Sequence, residues 1–414
     1  MNIIFHIDFD SYFVSALRLI EPELENKEVA IGRNIALSLS YEAKNKGAKV
    51  GMYRAQINKI VPNIIWRESN FSHFIKISNQ IFNYIINKYS SKIQFFSIDE
   101  CFINVTHLIN LNNIKESSCI LAKKIQREIK DKFGIPISIG ISITSFLAKM
   151  STNLAKPFGI VFTSKQEIEK HFFHLDISKY FGIGKALEQR LRKENINTIG
   201  DLFNTFKNLE LIKSIFKNTY LNYLNNLKGV ENIEQEEFYI PKSISNIKSF
   251  DYLAIDNIND ILLILDELIA SVWIKINNRS MLGKVILLSI KYEGNKKFIQ
   301  KQFKNKVYIE NENELRRIGH SLFKDYWKNK PIKGIGFGVG ELQYKNDIYF
   351  QRSIFEHNQT KFQENIIIKN TNKIIGNKTL FKASDLTQNK SLKNPKLKFL
   401  SEDENLFFAK DKNK

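Results

Sequence analysis

Short runs of Ile, Phe and Val bounded by polar residues recur along the chain and predict strands. Longer runs with apolar residues every three or four positions predict helices. The first run, Ile3-Ile4-Phe5-His6-Ile7, ends in Asp8-Phe9-Asp10 and passes into 11–17, a helical spacing with Ser11 as its cap. Residues 29–32 and 35–39 read as short strands, and 41–46 as a short helix closed by Gly47. A helix is expected over 74–88, then two strands within 93–105 that meet at Ser97-Ile98-Asp99-Glu100. An amphipathic helix over 114–133 stops at Gly134, and 137–143 is another strand. From 166 to 230 the pattern is helical and basic, and 229–241 is polar. A strand over 243–250, a helix over 258–276, strands over 283–292 and 298–303, a helix over 315–327 and a strand over 332–342 follow. That β-α-β-β-α-β order predicts a compact α+β domain.

Acidic residues at the edges of apolar strands need an explanation. An Asp-x-Asp or an Asp-Glu after such a run commonly makes a turn or a helix cap. Desolvating a carboxylate costs several kcal/mol unless something compensates. Two such clusters, Asp8-Phe9-Asp10 and Asp99-Glu100, suggest one shared compensator. Oxygen ligands with no His or Cys among them favour magnesium over zinc.

At 414 residues, the chain is long enough for two to four domains. Its net charge of +19 changes the picture, because so large a surplus favours a polyanionic partner, nucleic acid before an acidic membrane surface. The two cysteines, Cys101 and Cys119, make no framework or metal-ligand spacing, which fits a reducing cytoplasm. The N-terminus does not read as a signal peptide, and no apolar run approaches the roughly 18 residues of a membrane span.

Two further features suit a polyanion. Gly182-Ile183-Gly184-Lys185 opens a helix, and a Gly-x-Gly turn there directs backbone N–H groups at an anion such as a DNA phosphate. A plain helix–helix turn is the alternative reading. Lys291, Lys296, Lys297, Lys301, Lys304 and Lys306 form a basic stripe, readable as a solvated face or as a grip on the DNA backbone. Residues 346–414 are rich in Asn and Lys, with few large apolar side chains, and are expected to be poorly ordered.

Several motifs stand in order along the chain: Asp8-Phe9-Asp10 with Tyr12-Phe13, then Ser40-Tyr41-Glu42-Ala43-Lys44 with Gly47 and Gly51-Met52. Ser97-Ile98-Asp99-Glu100 follows, then Ser138-Ile139-Gly140-Ile141 with Lys149 and Lys156-Pro157-Phe158-Gly159. Gly182-Ile183-Gly184, Lys242-Ser243-Ile244-Ser245 and Gly334-Ile335-Gly336 complete the set in order. With these motifs in this order, the chain over about residues 1–345 resembles the Y-family translesion DNA polymerases, nearest the polymerase IV and UmuC-like branches of bacteria.

The resemblance implies an α+β right-hand polymerase. Its parts would be a palm (1–10 and 78–165), fingers (11–77), a helical thumb with a helix-hairpin-helix (166–228), a linker (229–241), a β-α-β-β-α-β little finger (242–345) and a tail (346–414). It implies template-directed, low-fidelity DNA synthesis by nucleotidyl transfer to a primer 3′-hydroxyl, with two magnesium ions per active site. Asp8 and Asp99 would bridge both ions, Glu100 would help hold the catalytic one, and the Phe9 backbone carbonyl would complete the nucleotide-side ion. Phe13 would be the steric gate against a 2′-hydroxyl, with helix packing as its alternative reading. Ser38, Tyr41, Lys44 and Lys156 would contact the triphosphate. Lys44 stands where polymerase IV-like members usually carry Arg, which keeps the charge but loses the bidentate fork. No His general base is required, and none of the seven His residues is placed in these motifs.

Gly182, Gly184, Lys185, Lys291, Lys296, Lys297 and Lys301 would hold primed template DNA. Gln351, Ile354 and Phe355 resemble a sliding-clamp-binding peptide. The expected partners are therefore primed DNA, deoxynucleoside triphosphates and a clamp, with no membrane, for a monomeric cytoplasmic enzyme. The rivals are a non-catalytic DNA-binding scaffold that recruits another polymerase and another palm-fold nucleotidyl enzyme such as a cyclase.

Overall fold

The computed structural model describes residues 2–230, 241–250 and 253–348. The chain divides into two units, residues 1–238 with 406–414, and residues 239–405. Each unit has its own core.

In the first unit the strands are, in chain order, β1 (Ile4–Phe9), β2 (Val29–Ile31), β3 (Ser38–Leu39), β4 (Ile65–Arg67), β5 (Ile93–Phe95), β6 (Glu100–Asn104), β7 (Ile137–Ser142) and β8 (Ile160–Phe162). Five of them form a sheet in the order β5-β6-β1-β7-β8, and β3-β2-β4 form a smaller one. β1 is central and antiparallel to both neighbours. Its odd positions, Phe5, Ile7 and Phe9, pack into a core with residues such as Ile81, Phe82, Ile85, Ile125 and Ile129 from the helices Phe71–Lys88 and Ile114–Phe133. Its even positions, His6 and Asp8, therefore lie on the opposite face. There the helix Ser145–Ala155 lies along β7 and β1.

Gly140 makes that approach possible. A Cβ on it would fall 2.1 Å from the Ala148 carbonyl oxygen and 2.3 Å from the Thr152 nitrogen. Only hydrogen fits between strand and helix here.

Some elements differ from their sequence reading. Ser11 occupies the N-cap position of Tyr12–Arg18 in a left-handed conformation (φ 45°) and makes no side-chain cap. Its hydroxyl instead accepts from Lys44, 2.8 Å away. Within 35–39 only Ser38–Leu39 is strand, while Ile35 makes one isolated bridge to Tyr53. The helix read from 74 begins at Phe71, because Asn70 accepts from the His73 N–H. The helices Arg54–Ile60 and Ser145–Ala155 and the strands β4 and β8 were not predicted.

The helical stretch after β8 has its own core, which includes Phe172, Ile177, Tyr180, Leu191, Ile199 and Leu202. Its helices Lys185–Lys193 and Ile199–Thr205 are joined by a short turn.

The second unit adds β9 (Ser243–Ser249), β10 (Met281–Leu282), β11 (Val285–Tyr292), β12 (Ile299–Lys304), β13 (Ile332–Gly340) and β14 (Gln343–Tyr344). A four-stranded antiparallel sheet in the order β12-β11-β13-β9 packs on the helices Ile258–Asn278 and Glu312–Tyr326 through Leu265, Leu268, Leu288, Phe323, Ile335 and Phe337. The order is the predicted β-α-β-β-α-β, with the strand read over 283–292 beginning at Val285 as β11 and the short β10 preceding it. Gly334, Gly336, Gly338 and Gly340 alternate with the core residues of β13 and pair across to Ser249, Ile247, Ser245 and Ser243. Small residues therefore run down the middle of the face away from the helices, with Ile247 and Leu287 beside them.

Candidate active site

Register brings the acidic residues together. Asp8 stands directly opposite Glu100 on β6 and Ser138 on β7, so their side chains share one face. Asp99 sits in the turn between β5 and β6. Its carbonyl oxygen accepts from the Phe9 N–H at 2.9 Å, which ties the two acidic segments main chain to main chain. The Ser97 hydroxyl donates to Asp99 Oδ1 at 2.5 Å.

Three cationic or hydrogen-donating side chains close over this face. Lys156 Nζ lies 2.7 Å from Asp8 Oδ1, and Lys149 Nζ is 3.8 Å from Asp8 Oδ2 while donating to Glu100 Oε2. His6, fully buried, places Nε2 at 3.3 Å from the same Glu100 Oε2 and Nδ1 at 2.8 Å from Thr152 Oγ1. His6 lies two positions before Asp8, outside the motif itself, and the sequence reading gave it no contact with Glu100.

The charges answer to this packing. Burial pushes the Asp8 carboxyl up to about 7, against the pull of Lys156. Burial likewise raises Asp99. Burial also works against ionised Glu100, but the hydrogen bonds from His6 and Lys149 outweigh it and hold that carboxyl down to about 2. Burial lowers His6 to about 4, so the imidazole is neutral at pH 7.

Two buried carboxyls that resist ionisation mark a shortage of positive charge, and the donors are all oxygens. That chemistry fits a hard divalent cation. Among the described residues, however, no three acidic, His or Cys side chains are gathered closely enough to enclose an ion. The reason is visible in the contacts: Asp8 is turned to Lys156, Glu100 to Lys149 and His6, and Asp99 to Ser97. The lysine ammoniums stand where cationic charge is needed.

Asp10 has a different task. Its carboxylate accepts from Tyr41 Oη at 2.9 Å, Ser138 Oγ at 2.9 Å and the Phe158 N–H at 2.8 Å, and it is 1% exposed. It brackets the strand end to two other segments. Tyr41 and Lys44 share one short helix capped by Ser40, and Lys44 Nζ lies 4.5 Å from the Tyr41 ring centre. Burial lowers the Lys44 pKa, and Lys156 lowers it further by repulsion. Both ammoniums therefore face the same region beside Asp8 and Asp10. Ser38 lies nearly buried on β3. Phe13 is half-buried and stacked on Phe74, with ring centres 4.7 Å apart and planes 13° from parallel, and the Phe71 ring meets it edge-on at 5.6 Å. That clamp fixes its orientation.

The expected DNA-contacting residues fall into separate groups. Gly182 has φ +100°, and no atom lies within 4 Å of where a Cβ would sit on Gly182 or Gly184, so the turn before Lys185–Lys193 is open. Lys291 pairs with Gly334 and shares the small-residue face of the second unit. Lys296 and Lys297 lie exposed in the connection between β11 and β12. Lys301 pairs with core residue Leu288, so it lies on the helix side, its ammonium 4.9 Å from the Tyr326 ring centre. The stripe is thus split between two faces of the sheet. Gln351, Ile354 and Phe355 lie outside the described residues.

Residues 7–153 match the impB/mucB/samB family, and residues 241–353 match the C-terminal domain of that family. The chain is 33% identical over 366 residues to a DNA polymerase IV of Ureaplasma parvum, covering 86% of this chain and 98% of the relative. It is 28% identical over 373 residues to a DNA polymerase IV of Oceanobacillus iheyensis, covering 88% and 87%. In fold it is similar to a Y-family DNA polymerase chimera of Dbh and Dpo4, with a TM-score of 0.72 at 24% identity over 83% of this chain and 99% of that one. A likeness over nearly the whole of such a relative, with the acidic strand ends and the second α+β unit both in place, puts the chain in the impB/mucB/samB family, that of the Y-family DNA-directed DNA polymerases.

Proposed function

We propose that the chain is a magnesium-dependent translesion polymerase that extends a primed DNA template from deoxynucleoside triphosphates with low fidelity. The observation that carries this reading is the register of β1 with β6, which sets Asp8 opposite Glu100, with Asp99 tied beside them by the Phe9 N–H. In this reading Asp8, Asp99, Glu100 and the Phe9 carbonyl hold two magnesium ions. When bound, such ions activate the primer 3′-hydroxyl and neutralise the leaving pyrophosphate. The chain's own residues do the rest. Lys149 and Lys156 balance the carboxylates, and Lys156, with Lys44, Tyr41 and Ser38, would meet the triphosphate. Phe13, fixed by Phe74 and Phe71, presents a rigid ring against a 2′-hydroxyl.

The palm, fingers, thumb and little-finger assignments belong to this proposal, and the division of the chain into two units supports a separate little finger, while most of the linker 229–241 lies outside the described residues. The open turn at Gly182, Gly184 and Lys185 would take backbone phosphates, as would Lys291, Lys296 and Lys297 of the second unit, with Lys301 on the helix side of its sheet. Gln351, Ile354 and Phe355 would dock on a sliding clamp. Among the described residues no helix is long and apolar enough to cross a membrane. A monomer working in the cytoplasm completes the reading. The scaffold alternative is not favoured, since the three carboxylates it could dispense with are all present.

Primer extension on an undamaged primed template, with magnesium and four deoxynucleotides, tests the proposal. Wild type should extend distributively, and Asp99→Ala/Glu100→Ala should lose at least about a thousandfold of the rate. Phe13→Val should retain extension and admit ribonucleotides. Equal extension by the wild type and the double variant would sink the site assignment.

A further inference from the structure

We infer that His6 and Thr152 form a positioning pair that fixes the Glu100 carboxylate so that Oε1, and not Oε2, is offered to a divalent cation. The inference rests on the polymerase reading above and concerns residues that reading does not use. Its basis is the way donors are distributed over Glu100. His6 Nε2, 3.3 Å away, and Lys149 Nζ both converge on Oε2, and among the described residues no donor is placed on Oε1. A carboxylate held by one oxygen has its other oxygen aimed.

The imidazole can do this because its own orientation is determined. His6 pairs with Gly140 in the register of β1 with β7, and its ring packs against the Phe102 ring at 4.5 Å. Thr152, one turn beyond Lys149 on the helix Ser145–Ala155, meets Nδ1 at 2.8 Å. The hydroxyl is wholly buried and can donate only once. The Ala148 and His6 carbonyl oxygens lie 3.0 and 3.2 Å from the same hydroxyl. Ionised Glu100 can only accept, so the tautomer that serves it carries its proton on Nε2, and the single Thr152 donor then goes to Nδ1, the nearest of its three acceptors. The carboxylate and the buried hydroxyl thus favour one tautomer from the two ends of the ring, the arrangement by which outer-shell groups commonly orient metal ligands.

The mechanism makes the hydrogen bond, and not the volume, the essential feature. His6→Phe fills similar space and cannot donate. His6→Gln carries an amide N–H at a comparable distance from the main chain. Thr152→Val keeps the shape of the side chain and removes the hydroxyl, while Thr152→Ser keeps the hydroxyl.

The experiment is a titration of Mn²⁺ followed by electron paramagnetic resonance. The full-length protein is bound to primed DNA ended by a dideoxynucleotide, with the next deoxynucleoside triphosphate present, so that binding is read without turnover. Magnesium half-saturation in primer extension is measured alongside, together with the melting temperature. His6→Phe is expected to weaken cation binding about tenfold, the low end for loss of a group orienting a metal ligand. His6→Gln should stay within about twofold of wild type, and Thr152→Val should weaken binding while Thr152→Ser does not.

Wild-type affinity in both His6→Phe and Thr152→Val overturns the inference. So does equal weakening by His6→Phe and His6→Gln, which would mean that packing alone matters. If His6→Phe does not fold, the Thr152 pair decides. Should wild type itself neither bind Mn²⁺ nor extend a primer, it is the polymerase reading that fails.

Discussion

Asp8 combines the two demands on this site, burial and charge, in one side chain. Its carboxyl titrates at about 7 in the fold, against 3.8 ordinarily. Below 3.8 both folded and unfolded chains hold the proton. Between 3.8 and about 7 the unfolded chain has lost it and the folded one has not, so stability falls as pH rises through that window. Asp99 acts in the same direction, while Glu100, held down from 4.5 to about 2, adds stability above 4.5 that is lost only as pH falls towards 2. Asp8→Asn should therefore melt several degrees higher than wild type in chelator at pH 8, with a smaller advantage at pH 5. Thermal melts across that range check it, and an advantage that is flat or shrinks with rising pH would refute the burial argument. At this scale the sequence was partly legible. Asp8 and Glu100 stood out because charge at the end of an apolar run is anomalous. His6 did not, because a histidine inside Ile4–Phe9 reads as one more buried ring until the register shows what it faces. Asp10, read only as part of the first acidic motif, was given no role from the sequence, and its lone pairs are taken by Tyr41, Ser138 and Phe158 from segments far along the chain.

At the scale of elements, the helix Ser145–Ala155 delivers both Lys149 and Thr152, and the sequence did not announce it. Its burial continues around the helix through Phe146 to Thr152, including Lys149, Ser151 and Thr152, so no clean polar face marks the 3.6-residue period. By contrast Phe71–Lys88 and Ile114–Phe133 lie on the outside of one sheet face and show the alternation plainly. The strands were legible for the same reason, since β1 sends Phe5, Ile7 and Phe9 one way and His6 and Asp8 the other. What the helix requires is Gly140 beneath it. Gly140→Ala would put a methyl 2.1 Å from the Ala148 carbonyl and 2.4 Å from Thr152 Oγ1, with backbone on both sides and no flexible tip to give way. It should cost about 3 kcal/mol or more by overpacking and lift Lys149 and Thr152 off Glu100 and His6. Denaturant unfolding reads the first effect and magnesium half-saturation the second. A variant of wild-type stability would mean that the helix can retreat freely.

At the scale of the whole molecule, the +19 charge and the two separately cored units set how DNA should be held. The acidic face is local to the first unit, with Lys149 and Lys156 answering Glu100 and Asp8. The unbalanced charge lies elsewhere, including exposed Lys296 and Lys297 and the half-buried Lys291 on the second unit. Register separates Lys291 from Lys301, which the linear stripe had grouped together, because Lys291 pairs with Gly334 and Lys301 with core Leu288, so that the two alternate onto opposite faces of the sheet. If Lys291, Lys296 and Lys297 grip the backbone, each phosphate they neutralise releases counterions. The slope of log affinity against log salt should then shallow by about 0.9 per contact, or roughly 2.7 for the triple Ala variant. Asp99→Ala/Glu100→Ala should leave that slope unchanged, because no phosphate contact is removed. Lys301→Ala, on the helix side of the sheet, should change it less than Lys291→Ala does. Fluorescence anisotropy of primed DNA over a range of salt concentrations measures all three. A triple variant with the wild-type slope would move the DNA grip to the open Gly182 turn or to other basic residues, since a phosphate contact cannot be removed without changing the number of ions released.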